Sequence, residues 1–221
     1  MVSQSSSQWV YGFGKNEANI GAGNKNLLGG KGANLAQMMR IGLPVPPGFT
    51  LTTEACLLYM EDPSGTMEEI WPEVKKAMKS LEEKTGKNFG GPGTPLLVSV
   101  RSGAPVSMPG MMDTILNLGL NDETCSALGD TSGDRRFALD SYRRFIQMFS
   151  DVVLGVPSEE FENVLTLTRR KLKVQFDNEI PPEAMEEVVS QFKKIVRKTT
   201  GKDFPSDPWI QLKAATEAVF R

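Results

Sequence analysis

The strongest constraint on the fold is a series of amphipathic helical patterns in the part of the chain that follows Asn121. In three successive stretches apolar residues recur at steps of three and four, which is the spacing of one face of an α-helix. Pro181 and Pro182 mark the start of the third stretch, and Gly201 marks its end. The apolar positions are Ala138, Tyr142, Phe145, Phe149 and Val152, then Phe161, Val164, Leu165, Thr168 and Leu172, then Met185, Val188, Val189, Phe192, Ile195 and Val196. We expect three packed helices here, and a further helix from Pro208 onward.

The first half of the chain combines short strand patterns with turns and helices. Strand patterns occur in WVYGF from Trp9, in GFTLT after Pro47, and in the apolar run at residues 95–101. Thr66 and Glu69 form a capping-box pattern ahead of a helical repeat, which predicts a helix that starts at about Thr66. The mixture of strands and helices predicts an α+β protein.

The glycine-rich segment GNKNLLGGKGANLAQM places Lys31 where a loop is expected to enter a helix. Closely spaced glycines allow backbone N–H groups to approach an anion, and a helix N-terminus favours negative charge. The segment is not a Walker A motif, because position 25 is Lys where that motif needs Gly, and Gly32 follows Lys31. Phosphate binding by Lys31 and a glycine-rich turn with a solvated lysine both stay open at this point.

Arg101 ends the predicted strand at residues 95–101 and is followed directly by small residues. A guanidinium at a strand end can bind phosphate oxygens in a fork, while a backbone of small residues passes close by. The alternative is an arginine paired with a carboxylate at the edge of the core. The next stretch, SMPGMMDTILNLG from Ser107, is either a loop over a nucleotide or a methionine-rich loop that fills core space.

Four arginines, Arg135, Arg136, Arg143 and Arg144, lie on or near one predicted helix. We expect them to form a solvated face, and contact with a partner domain or a phosphate is the alternative.

The composition excludes several classes of function. The 221 residues contain no histidine, which rules out His-based triads and His metal clusters. With 25 Lys and Arg against 27 Asp and Glu, we expect neither nucleic acid nor a membrane as a partner. Cys56 and Cys125 lie far apart in the chain, so we expect neither a disulfide framework nor a zinc site. A reducing compartment fits this use of cysteine best. Four pairs of adjacent glutamates, at residues 68–69, 82–83, 159–160 and 186–187, fall in helical patterns where exposed charge is expected, so no metal ligand is predicted.

Four longer strings resemble the N-terminal nucleotide-binding domain of the pyruvate, phosphate dikinase family. They are LLGGKGANLAQM, PVPPGFTLTTEAC, LLVSVRSGAPVSMPGMMDTILNLGLND and DSYRRFIQMFSDVV. The similarity covers nearly the whole chain after Ser7, in the family's order, and the string MPGMMDTILNLGLND is far more specific than a loop of glycines. The related phosphoenolpyruvate synthases share the lysine and the strand-end arginine but not the methionine-rich string.

The resemblance implies a fold and a division into domains. The fold would be the first subdomain of an ATP-grasp-like nucleotide-binding domain with a helical insert. Residues 1–8 would be a disordered tail, and residues 9–120 the N-terminal subdomain of sheet and helices. Residues 121–206 would be the helical insert, and residues 207–221 a helix that returns to the first subdomain.

The resemblance also assigns roles to residues of this chain. Lys31 matches the family's phosphate-contacting lysine, and Arg101 matches its nucleotide-binding arginine. The family's loop that closes over the phosphates maps onto Gly110, Met112, Asp113 and Thr114. Arg144 falls where the family uses an arginine for docking between domains.

The family's reaction converts ATP, pyruvate and phosphate into AMP, phosphoenolpyruvate and pyrophosphate through a phosphohistidine on a separate domain. The resemblance therefore implies ATP as substrate, with the Mg²⁺ ligands and the phosphohistidine domain outside this chain. We expect the chain alone to hold no catalytic residue and to be inactive, and the full-length protein to be a homodimer.

The sequence leaves two alternatives for the function and two for the location. The chain could be the ATP-binding part of a related phosphoenolpyruvate synthase, or a stand-alone, non-catalytic interaction module with the same fold. We expect a cytoplasmic protein, with the plastid as the alternative, because the family occurs in both.

Overall fold

The computed structural model of the protein describes residues 8–14, 24–103 and 114–221. In these ranges the chain forms helices and two small antiparallel sheets, which confirms the expected α+β class. The strands are β1 (Val10–Phe13), β2 (Gly48–Leu51), β3 (Val98–Arg101) and β4 (Thr114–Leu118). The helices are α1 (Lys25–Arg40), α2 (Thr53–Glu61), α3 (Pro63–Thr85), α4 (Asp122–Ser132), α5 (Arg135–Val152), α6 (Ser158–Leu172), α7 (Pro182–Thr200) and α8 (Pro208–Phe220), with a short 3₁₀ helix at Asp177–Glu179. None of the helices in the described ranges is both long enough and apolar enough to cross a membrane.

Backbone contacts divide the described chain into two compact units. The first unit contains residues 8–14, 24–86, 102–103 and 220–221, and the second contains residues 87–101 and 114–219. In this division β3 and β4 lie in the second unit with α4 to α7 and most of α8. The assignment of subdomains and of a helical insert stays a prediction, and residues 1–7 of the expected tail lie outside the described residues.

The first unit is built around the sheet of β1 and β2. Val10 pairs with Leu51 in this antiparallel sheet, in the two places where strand patterns predict it. Helix α3 is fastened to the start of β1, because the Glu73 carboxylate accepts hydrogen bonds from the backbone N–H groups of Trp9 at 3.0 Å and Val10 at 3.1 Å. The indole N–H of Trp9 also donates to Glu69 at 3.1 Å, so the buried polar groups at this strand end are paired.

Helix α3 begins earlier than its sequence pattern predicts. The Asp62 carboxylate caps the helix by accepting from the Gly65 N–H at 3.0 Å, and Pro63 occupies the first helical position. Thr66 lies inside the helix and is buried, so the predicted capping box at Thr66 is wrong. The apolar face itself is confirmed by the buried residues Met67, Ile70, Val74, Met78 and Leu81.

The second unit has its core between α5, α6 and α7. The three predicted amphipathic helices are present, and their apolar faces are buried against one another. The buried side chains include Ala138, Tyr142, Phe145, Phe149, Phe161, Leu165, Met185, Val188, Val189, Phe192 and Val196. The rings of Phe161 and Phe192 meet edge to face with centroids 4.8 Å apart, which joins α6 to α7.

Helix α8 fixes the end of β4 through the fully buried side chain of Gln211. The Gln211 amide accepts from the Gly119 N–H at 3.0 Å and donates to the carbonyls of Leu120 at 2.9 Å and Pro205 at 2.8 Å. One side chain thus satisfies three backbone groups that β4 and its surroundings would otherwise leave without partners. The predicted start of this helix at Pro208 is confirmed.

Candidate functional site

Lys31 lies in helix α1, close to an interruption of that helix. Asn24 caps α1 by accepting from the Leu27 N–H at 3.2 Å, so the helix starts at Lys25 and not at Lys31 as its pattern predicts. Gly29 has φ 67° and ψ 175°, which separates a short first segment from a second segment that runs to Arg40. Lys31 therefore sits in the first turn of the second segment, where the helix dipole favours an anion, and its side chain is partly exposed.

The interruption of α1 lies directly against the backbone of Gly103. The Gly30 N–H donates to the Gly103 carbonyl at 3.1 Å, and a Cβ at Gly29 would lie 2.0 Å from the same oxygen. Gly29 is therefore required twice, for its left-handed φ and for the close approach of Gly103. The sequence predicts that these glycines let backbone N–H groups approach an anion; in the structure the backbone of Gly30 donates to the Gly103 carbonyl, and the anion site stays a prediction.

Arg101 and Thr114 are partners across the sheet of β3 and β4. Arg101 is the last residue of β3 and Thr114 the first residue of β4, and they pair in the antiparallel register. Arg101 is exposed and Thr114 is partly exposed, whereas Ile115 beside them is fully buried. The structure thus places two of the predicted site residues on adjacent strands at one end of a sheet. Arg101 is an exposed residue at this strand end, a position from which a guanidinium can reach phosphate oxygens, and its role stays a prediction.

Three residues of the predicted phosphate loop lie outside the described residues. These are Gly110, Met112 and Asp113, in the connection of residues 104–113 between β3 and β4. Their proposed role stays a prediction.

Arg144, the predicted docking residue, lies on the exposed side of α5. Its guanidinium is 2.9 Å from the Asp140 carboxylate, and 62% of its side-chain surface is accessible. An exposed arginine with one carboxylate neighbour can still present donors to another protein surface.

Of the other three arginines of the cluster, Arg135 is exposed as the sequence suggests, whereas Arg143 and Arg136 are turned to structural contacts. Arg143 is buried and pairs with Asp140 at 2.8 Å and Asp177 at 3.1 Å. Arg136 donates to the backbone carbonyls of Ile180 and Asp177 at 3.1 and 2.8 Å. Arg135 is exposed and pairs with Glu186 at 2.7 Å. Arg143 and Arg136 therefore hold the 3₁₀ helix against α5, and the cluster as a whole is not an open cationic surface.

Asp177 is the residue of this region that sequence reasoning missed. It accepts from Arg143 and from Arg169 of α6, so one carboxylate joins the 3₁₀ helix to two long helices. Its partner Arg143 is 34 positions away in the chain, and no local pattern marks the pair.

Burial raises the pKa of three side chains in the described part of the chain, Cys56, Cys125 and Tyr142. Desolvation, and secondarily the charge of Asp122, raise the pKa of the Cys125 thiol to about 11. In the described part of the chain no group of three or more His, Cys, Asp or Glu side chains is arranged to hold a metal ion.

Comparison with known proteins places these observations in a family context. Residues 25–70 match the family model described as "Pyruvate phosphate dikinase, AMP/ATP-binding domain", a range that includes Lys31. The chain is 49% identical over 213 residues to pyruvate, phosphate dikinase of Rhizobium meliloti, and 47% identical over 215 residues to that of Clostridium symbiosum. It is also 47% identical over 211 residues to the protein named "Pyruvate, phosphate dikinase, chloroplastic" of Mesembryanthemum crystallinum.

These matches cover almost all of this chain but only part of each relative. They include 96% of the chain and 24% of the Rhizobium meliloti protein, and 97% of the chain and 24% of the Clostridium symbiosum protein. The resemblance predicted from the four sequence strings is confirmed. The chain is similar, over nearly its whole length, to about one quarter of a pyruvate, phosphate dikinase.

Proposed function

We propose that the chain is the ATP-binding part of a pyruvate, phosphate dikinase. The observation that carries the proposal is the near-50% identity to enzymes of that name over 96% of the chain, together with the match of residues 25–70 to an AMP/ATP-binding domain. The parent reaction would convert ATP, pyruvate and phosphate into AMP, phosphoenolpyruvate and pyrophosphate. Phosphoryl transfer depends on positioning and on neutralising the charge of the phosphates, and cationic side chains and helix N-termini supply both.

In this proposal Lys31 neutralises charge on the phosphates of ATP. Support comes from its place in the first turn of the second segment of α1, where the helix dipole adds to the charge of the ammonium group. Gly29 and Gly30 bring the backbone of this turn against Gly103, which favours one fixed conformation of the turn.

Arg101 has the second role, which is to bind phosphate oxygens through its guanidinium. Its exposure at the end of β3 and its pairing with Thr114 support this role, because a hydroxyl and a guanidinium are then available at one strand end. Gly110, Met112 and Asp113 would complete the loop over the phosphates with Thr114. The fold of the domain would be ATP-grasp-like, with helices α4 to α7 as its helical insert.

The residues of this chain supply only part of the chemistry. The 221 residues contain no histidine, so the phosphohistidine of the parent reaction would be supplied by another domain. We propose that acidic residues outside this chain, and separate from the phosphohistidine domain, hold the Mg²⁺ that accompanies ATP. Arg144 would contact the phosphohistidine domain, and the complete protein would be a homodimer.

The location follows from the same proposal. The relative from Mesembryanthemum crystallinum is named chloroplastic, whereas the names of the two bacterial relatives state no compartment. We propose a cytoplasmic protein, with the plastid as the alternative for a photosynthetic host.

Calorimetric titration of the 221-residue chain with Mg-ATP tests the nucleotide site. We expect binding that weakens about tenfold or more in Lys31→Ala and in Arg101→Ala, because each variant removes a charge-assisted contact to phosphate. Lys76→Ala and Arg170→Ala are matched controls, since both residues are exposed on helices remote in sequence from the proposed contacts. Equal affinity in all five proteins would contradict the assignment of Lys31 and Arg101.

A further inference from the structure

Strand β4 contains a bulge that sets which residue faces Arg101. Val98 pairs with Leu118, but Val100 pairs with Ile115 and Arg101 with Thr114. One residue of β3 between these pairs therefore faces two residues of β4, Leu116 and Asn117. A two-against-one arrangement of this kind is a β-bulge, and bulges change the direction in which the following side chains point.

The backbone of Asn117 makes the bulge possible. Its φ is 61°, in the left-handed region that few residues other than glycine adopt, and asparagine is the commonest exception. The neighbouring Leu116 has no partner in the register with β3, and its N–H donates to the thioether sulfur of Met148 in α5 at 3.2 Å. The Asn117 carbonyl accepts from the Leu120 N–H at 3.3 Å. Leu116 and Asn117 thus each form a backbone hydrogen bond with a partner that is not in β3.

The bulge has a definite effect on the side chains at the strand end. Gln211 and the pairing of Leu118 with Val98 fix the C-terminal end of β4. The bulge therefore decides the register at the N-terminal end, where Thr114 lies. Without the extra residue Arg101 would face Ile115, and successive side chains would exchange faces of the sheet. With it, Ile115 and Leu118 are both fully buried although they are three residues apart. Thr114 is then the partner of the exposed Arg101.

We propose that Asn117 is a positioning residue of the nucleotide site: its left-handed backbone holds the bulge that pairs Thr114 with Arg101. The inference rests on the proposed function of Arg101 and adds a residue that touches no ligand in that proposal. Only the conformation of residue 117 matters in this role, so glycine can replace asparagine, whereas alanine and valine disfavour the bulge. For an L-residue without a local side-chain hydrogen bond the left-handed conformation is disfavoured by about tenfold, and more for a β-branched one.

The test measures Mg-ATP affinity by calorimetry and the strand register by NMR in the 221-residue chain. We expect Asn117→Val to weaken binding about tenfold or more and to lose the cross-strand contact between the α-protons of residues 101 and 114. Asn117→Ala serves as the milder variant if valine prevents folding. Asn117→Gly should restore both the affinity and the contact to within about twofold of the wild-type values.

The controls separate this inference from the proposed function. If the wild-type chain binds Mg-ATP and Arg101→Ala weakens binding, unchanged affinity in Asn117→Val and Asn117→Ala overturns the role of Asn117. If the wild-type chain does not bind Mg-ATP, the proposed function fails, and the NMR contact still decides whether residue 117 sets the register. A glycine variant that binds as weakly as the valine variant also overturns the inference, because side-chain chemistry and not backbone conformation would then be needed.

Discussion

The guanidinium of Arg143 and the carboxylate of Asp177 form a largely buried ion pair, with Nη2 of Arg143 3.1 Å from Oδ2 of Asp177. The same guanidinium pairs with Asp140 within α5 at 2.8 Å. Replacing Arg143 by alanine leaves the carboxylates of Asp140 and Asp177 with fewer hydrogen-bond donors. We therefore expect Arg143→Ala to lower the free energy of unfolding by about 3 kcal/mol. Urea denaturation measures this loss.

Arg144→Ala is the matched control for that prediction. Arg144 shares the Asp140 carboxylate with Arg143, but its side chain is 62% exposed, so its loss should change the free energy of unfolding by less than about 1 kcal/mol. Equal losses for the two variants would show that burial of Arg143 does not determine the strength of this network.

Gly29→Ala is expected to destabilise the first unit by about 2 kcal/mol or more. The added Cβ would meet the Gly103 carbonyl oxygen at 2.0 Å, and the φ of 67° disfavours an L-residue. Gly42→Ala is a useful comparison, because Gly42 has a φ of 83° but a Cβ added there would meet no atom within 4 Å. Gly42→Ala should therefore lower the free energy of unfolding by only about 1 kcal/mol, from backbone strain alone. Thermal unfolding of both variants gives the difference, and similar losses would mean that the approach of Gly103 carries no energetic weight.

Much of the helical fold could be predicted from the sequence, because the apolar faces of α5, α6 and α7 each repeat over more than three turns. The start of α3 could not be predicted, since Thr66 and Glu69 imitate a capping box while Asp62 caps the helix four residues before Thr66. The predicted strand-end position of Arg101 is confirmed, because an apolar run that ends on a charged residue is a local signal.

Several features of the fold and of the candidate site depend on residues that are distant in the sequence. The burial of Arg143 requires Asp177, and the interruption of α1 is fixed by Gly103, more than 70 residues later. The left-handed conformation of Asn117 is visible only once β3 and β4 are aligned. A single sequence carries no periodic signal for contacts of this kind.

Gln211→Leu should lower the free energy of unfolding by about 2–3 kcal/mol, because it leaves three backbone groups without partners in a buried place. Gln37→Leu, on the exposed side of α1, is the matched substitution and should change stability by less than about 0.5 kcal/mol. Urea denaturation followed by circular dichroism compares the two. A Gln211 variant as stable as the wild-type chain would contradict the role of this amide in fixing the end of β4.

The Cys125 thiol should react slowly with iodoacetamide at pH 8 in the folded chain. Its pKa is raised from 9.0 to about 11, so the thiolate is scarce, and the side chain is buried. Mass spectrometry should show rapid labelling of Cys125 only after unfolding in urea. Labelling of the folded chain at the rate of an unfolded peptide would contradict this environment.

The same shift predicts a dependence of stability on pH. The unfolded chain loses the Cys125 proton near pH 9, whereas the folded chain keeps it until about pH 11. The folded state then binds more protons, so the free energy of unfolding falls as the pH rises from 9 to 11. Cys125→Ala removes this contribution and should show a shallower decline than the wild-type chain. Parallel curves for the two proteins would show that the thiol does not contribute.

The most direct test of the proposed function is ATP-dependent formation of phosphohistidine in a full-length pyruvate, phosphate dikinase of which this chain would be the ATP-binding part. The 221 residues hold no histidine, so a phosphohistidine labelled from ATP would arise on another domain through the nucleotide site proposed for this one. We predict that the wild-type protein becomes labelled, that Arg101→Ala loses labelling but retains pyruvate chemistry at the separate site, and that Arg170→Ala behaves as the wild type. Normal labelling in Arg101→Ala would contradict the assignment of this chain's strand-end arginine to ATP.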